Sequence, residues 1–102
     1  MTNHDIVKNL NSLHAFISAE SKSGKALLSP SGAYAINYNR KLLTTAYEPY
    51  VETLKGLNED KDKIAELLAV EVDMADLRKI SADDFKDGIT VELMMLIDFM
   101  VD

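Results

Sequence analysis

Apolar residues near the start of the chain recur with helical spacing. Ile6, Leu10, Leu13 and Ile17 stand at i, i+4, i+7 and i+11, and Val7 and Phe16 widen the stripe. The pattern predicts a first helix over residues 4–20. Thr2 or Asn3 can cap it, Asp5 suits the positive end of the helix, and Ser21-Lys22-Ser23-Gly24 stops it. Ala26-Leu27-Leu28 is a short apolar link, extended or forming an edge strand. Ser29-Pro30 opens a second helix, because serine is a good cap and the proline N–H would have had no partner at the first helical position.

The buried face of that second helix reads as Ile36, Leu43, Tyr47, Tyr50, Val51, Leu54 and Leu57, with Ala33 and Ala46 allowing close approach of a neighbour. Pro49 lies inside the pattern. It removes the hydrogen bond to the carbonyl of Thr45 and crowds that carbonyl, so a kink near 45–49 is expected in one continuing helix. Gly56 and Asn58 end it. A third, short helix follows from Asn58-Glu59-Asp60 to about Leu68, with Ile64, Leu67 and Leu68 inward.

The period then changes from helical to alternating. Val70, Val72 and Met74 alternate with Glu71 and Asp73, the pattern of a half-buried strand. A lone strand leaves its backbone unsatisfied, so it needs a partner, for which 26–28 and 77–80 are the candidates. Ser81-Ala82-Asp83-Asp84 resembles a helix-capping motif that starts one short turn holding Phe85, and Asp87-Gly88 is a turn. Thr90 caps a last helix from Val91 to about Val101, apolar around most of its circumference. The expected fold is therefore one α+β domain over residues 1–102, mainly α. It has about four helical segments, one kinked near Pro49, and a small two-stranded β element.

Composition narrows the chemistry. The 102 residues contain no cysteine, which excludes disulfides, thiolate metal sites and cysteine nucleophiles. No apolar run is long enough for a membrane span, and the first residues lack the basic start and apolar core of a secretion signal, so a cytoplasmic protein without membrane contact is expected. The net charge of −6 is divided unevenly. Residues 1–47 carry five bases and two acids, a net +3, whereas residues 48–102 carry six bases and fifteen acids, a net −9. That balance opposes general nucleic-acid binding and suits a basic protein partner.

Tests for reactive constellations return little. Ser23-Gly24-Lys25 lacks the first glycine and the final Ser or Thr of a phosphate-binding loop and follows no strand, so Gly24 reads as a helix stop. His4 and His14 cannot assemble a metal set alone, and Asp60/Asp62 and Asp83/Asp84 lack the calcium-loop pattern. No metal, cofactor or catalytic residue is expected, and no enzyme. The candidates that remain are surfaces. One is acidic: Glu59, Asp60, Asp62, Glu71, Asp73, Asp76, Asp83 and Asp84. The other is apolar and aromatic: Tyr34 and Tyr38, one turn apart near Arg40 and Lys41, together with Met94, Met95 and Phe99 on the last helix.

The segments Leu28–Leu43, LSPSGAYAINYNRKLL, and Glu66–Ile80, ELLAVEVDMADLRKI, resemble a family of short uncharacterised proteins from phages and prophages of low-GC Gram-positive bacteria. The chain departs from that pattern at Pro49, where the family would run an uninterrupted helix. The resemblance implies a phage setting and a small non-enzymatic protein, with no functional residues to carry over. The resulting expectation is an accessory protein that works by protein–protein binding. One concrete version inhibits a host defence or nucleic-acid-processing complex by placing carboxylates where phosphates would sit. The alternatives are an assembly factor that self-associates through residues 91–101, and a small-molecule or nucleotide binder using the tyrosine cluster.

Overall fold

The computed structural model describes residues 1–102. Four helices run in order: α1 (Asn3–Ser23), α2 (Pro30–Lys55), α3 (Lys61–Leu68) and α4 (Val91–Leu96). Two 3-10 turns, Ala82–Asp84 and Asp98–Met100, flank α4. Their ends follow local chemistry. Thr2 and Asp5 form a reciprocal cap in which the Asp5 N–H donates to Thr2 Oγ1 at 3.1 Å and the Thr2 N–H to Asp5 Oδ2 at 3.0 Å. Ser29, Asp60 and Thr90 accept from the first free N–H groups of α2, α3 and α4. Gly24 ends α1 at φ 71°, a left-handed conformation that glycine adopts without steric cost.

The core lies between α1 and the first half of α2. Ile6, Leu10, Leu13 and Phe16 face Ala35, Ile36 and Leu43. Leu27 and Leu28 from the link close one side, and Ile80, Ile97 and Met100 from the C-terminal third close another. No residue between Leu43 and Ile80 is fully buried. Tyr47, Tyr50, Val51, Leu54 and Leu57, read as a buried face, are only half covered, as are Ile64, Leu67 and Leu68. The second half of α2 and α3 thus form a thinly packed extension of a molecule measuring 46 × 27 × 19 Å.

The expected two-stranded β element is absent, and the fold is helical with no sheet. Three isolated bridges take its place: Thr2 with Glu71, Leu28 with Phe85, and Ile80 with Val101. The alternation survives in burial over residues 71–74, with Val72 and Met74 half-buried and Glu71 and Asp73 exposed, but Val70 is exposed as well. Its partner, however, is the N-terminal residues and not 26–28 or 77–80. Asn3 N–H donates to Val70 O at 3.0 Å and Val72 N–H to Met1 O at 2.7 Å. Only one rung forms because Thr2 enters α1 immediately, and Asp73 turns the chain by accepting from Ala75 N–H at 2.9 Å.

α2 continues through Pro49 as the single helix expected there. Thr45 and Pro49 both lie on its exposed side, so water can satisfy the carbonyl that loses its donor. The last helix stops at Leu96 and does not reach Val101. Ile97 leaves helical geometry at φ −112°, ψ 16°, and Val101 is drawn out to pair with Ile80. Asp102 N–H donates to Ile80 O and Ile80 N–H to Met100 O, both at 2.8 Å.

Candidate functional site

The feature that organises the surface starts in the core. Asn39 shares the inward stripe of α2 with Ala35, Ile36 and Leu43 and is fully buried. A buried amide must be paired, because leaving one donor or acceptor unmet costs about 1–3 kcal/mol. Asn39 meets this with the backbone of Arg78, 39 residues further along. Its Nδ2 donates to Arg78 O at 2.9 Å, and its Oδ1 accepts from Arg78 N–H at 2.8 Å. Nδ2 also lies 3.5 Å from the Met100 sulfur.

This clamp sets the root of the Arg78 side chain against the outer face of α2. The guanidinium carbon lies 4.5 Å from the Tyr38 ring centroid and 5.1 Å from that of Tyr34, within cation–π range. The two rings stack on each other at 6.2 Å between centroids with 26° between their planes. Tyr34 is 59 % exposed, Tyr38 is half-buried and Arg78 is exposed. No carboxylate neutralises Arg78, since the ion pairs of the chain are Met1 with Glu71 and Lys55 with Glu52. Asn37 and Lys41 complete a cleft beside the rings, which continues past Lys41 to Leu42 and Thr45.

Asn37 also belongs to a wider open groove of about 560 Å³ between α1 and α2, lined by His14, Ile17, Ser18, Ser21, Lys22 and Arg40 as well. The aromatic platform and the groove thus form one continuous face without a carboxylate along its lining, in a chain whose net charge is −6.

The other candidate residues are distributed differently. Tyr34 and Tyr38 come together as their spacing indicated. Several of the acidic residues have local structural work. Asp60 caps α3, accepting from Asp62 and Lys63 N–H. Asp73 turns the chain, and Glu71 meets the N-terminal ammonium at 3.4 Å. Asp84 ties two segments: Oδ1 accepts from Ser29 Oγ at 2.7 Å and Oδ2 from Ser81 N–H at 3.0 Å. These bonds, first that from the Ser81 backbone and then that from Ser29, lower its pKa. Asp5 is lowered likewise by its bonds with Thr2. Glu59, Asp62, Asp76 and Asp83 are exposed. On the C-terminal segment Met94 and Phe99 are half-buried and Phe99 packs on the core, while Met95 is 71 % exposed.

Arg78 was the residue that sequence reasoning missed. The available signal was Asn39, a polar side chain in the middle of an apolar helical stripe, which calls for a partner from elsewhere in the chain. No group of three or more histidine, aspartate or glutamate side chains converges as a metal site would require, and no helix is long and apolar enough to cross a membrane.

No protein-family model, curated protein or solved structure matches the chain. The phage-family resemblance drawn from residues 28–43 and 66–80 gains no support from these comparisons.

Proposed function

We propose that the protein is a non-catalytic binding module whose working surface is the Tyr34–Tyr38–Arg78 platform, and that it docks an acidic segment of a partner protein. The observation that carries this reading is the presentation of Arg78. A buried amide fixes its backbone, two tyrosine rings support its guanidinium, and no carboxylate pairs with this exposed side chain and its five N–H donors. Tyrosine and arginine dominate the energetic centres of protein interfaces, and a pre-positioned side chain loses less entropy on binding. Arg78 already covers both ring centroids, which favours a carboxylate-bearing chain over a stacked nucleobase.

The partner this face suits is acidic, opposite in sign to the basic partner that the net charge alone suggested. The lining of this face carries Lys22, Arg40 and Lys41 and no carboxylate, so with screening over about 10 Å at 0.1 M salt a bound ligand senses these charges more than remoter ones. The test is fluorescence anisotropy with a labelled ten-residue glutamate peptide. Wild type should bind it with an affinity that falls as salt rises. Arg78→Gln and the Tyr34→Ala/Tyr38→Ala pair should each weaken binding about tenfold or more. Equal binding by these variants, or none by wild type, contradicts the proposal.

A further inference from the structure

The groove beside the platform has polar side chains with nothing to bind. His14, Ser18, Ser21 and Lys22 project from α1 at helical spacing, and Asn37 and Arg40 from α2 stand one turn apart. None of these six side chains makes a hydrogen bond or ion pair within the protein. The carboxylate of Glu20, also on α1, is turned to Leu27 N–H at 2.9 Å and does not line the groove. Ile17 is the single apolar residue of the lining. The result is a guanidinium fork, an ammonium, an imidazole, an amide and two hydroxyls around one open volume of about 560 Å³.

From this we infer that the groove is a phosphate-reading subsite, and that the acidic segment taken by the neighbouring platform carries a phosphorylated side chain into it. The inference rests on the binding reading above for the carrier, and on the groove alone for the anion. A carboxylate offers two oxygens and one charge. A phosphate monoester offers three oxygens and a charge of roughly −1.5 to −2 at neutral pH, and so can engage more of the donors present. Asn37 lines both the groove and the tyrosine cleft, so one short peptide can occupy both. A long polyanion would extend beyond this face onto the rest of a chain whose net charge is −6, which disfavours nucleic acid.

The test uses two labelled ten-residue peptides rich in glutamate, identical except that one bears a central phosphoserine and the other serine. Wild type should bind the phosphorylated peptide about tenfold more tightly, as expected for added charge-assisted bonds. The pair Lys22→Gln/Arg40→Gln should abolish that preference, weakening the phosphorylated peptide about tenfold more than the unmodified one. Arg78→Gln should weaken both peptides and preserve their ratio. Equal affinities in wild type, or a preference that survives Lys22→Gln/Arg40→Gln, overturns the inference. So does equally tight binding to single-stranded DNA of similar charge or to vesicles containing phosphoinositide. Titration with inorganic phosphate, followed through the backbone amides of His14, Lys22 and Arg40, separates the two readings. If neither peptide binds but phosphate shifts these amides, the groove's anion specificity stands and the peptide carrier is refuted. If phosphate shifts nothing, the subsite is refuted as well.

Discussion

Replacing Asn39 with aspartate probes the clamp without changing its volume. In the wild type Oδ1 accepts from Arg78 N–H at 2.8 Å, and that bond is retained in Asn39→Asp. The second bond, Nδ2 to Arg78 O at 2.9 Å, is inverted, because a carboxylate oxygen then opposes a carbonyl oxygen. Losing the bond and leaving the carbonyl unmet costs about 1–3 kcal/mol. Asn39 has no exposed surface, so a charge there is also desolvated, and the total at pH 7 should reach about 3 kcal/mol or more. At about 4–8 °C per kcal/mol for a domain near this size, the midpoint of thermal unfolding should fall by at least about 12 °C.

The penalty should depend on pH with a defined sign. Burial raises the folded-state pKa of the introduced carboxyl above the unfolded value of about 3.9. Above the raised folded value the penalty is complete. Below about 3.9 the carboxyl is neutral in both states, its O–H can donate to Arg78 O, and the difference from wild type shrinks. Urea denaturation of both proteins by circular dichroism from pH 3 to pH 8 measures it. Equal stability at pH 7, or a difference constant across that range, would refute the clamp as the element that fixes Arg78.

Further predictions concern the rest of the fold. A Cβ at Gly32 would meet Leu28 Cβ at 3.1 Å and Asp84 Cβ at 3.2 Å, so Gly32→Ala should destabilise by about 1–3 kcal/mol despite better helix propensity. Gly56 has room for a methyl group and sits at φ −85°, so Gly56→Ala should stabilise by about 0.4–1 kcal/mol; urea midpoints moving in the same direction for both variants would contradict the packing described. The depressed pKa of Asp84 means that its contribution to stability is present above its unfolded value near 3.8 and is lost as pH falls through the lower folded value. Asp84→Ala should therefore be less stable than wild type at pH 7 and converge with it in acid, and a gap that does not narrow would count against the Ser29–Asp84–Ser81 tie. Met95→Lys should change stability by less than about 0.5 kcal/mol, because that side chain is mostly exposed; a larger loss would show that α4 packs differently.

Much of the helical framework can be read from the sequence because caps and stops act over a few residues. Thr2, Gly24, Ser29 and Thr90 each mark a boundary that the structure contains. Pairing between distant segments is where the reading fails. The alternation at Val70–Met74 reports the inward turn of Val72 and Met74 but not the exposure of Val70, and periodicity carries no information on which backbone lies alongside or for how many rungs. The apolar ring of residues 91–101 suggests a single helix, deeply buried or shared with another chain. In the structure the helix breaks at Ile97, which is buried in the core with Met100, and Leu93, Leu96, Phe99 and Val101 pack around it, which consumes most of that apolar surface. Tyr34 and Tyr38 could be paired from their spacing on one helix. Arg78 could not, because its place depends on a hydrogen-bonded contact from far along the chain.

Mapping the glutamate peptide onto the protein by amide chemical shifts tests the account most directly. Binding through the proposed face predicts that the largest changes fall at Tyr34, Asn37, Tyr38, Lys41 and Arg78. Changes centred instead on the acidic residues around Asp60 and Asp62, or on Val91 and Met95, would contradict it, as would a spectrum that does not change.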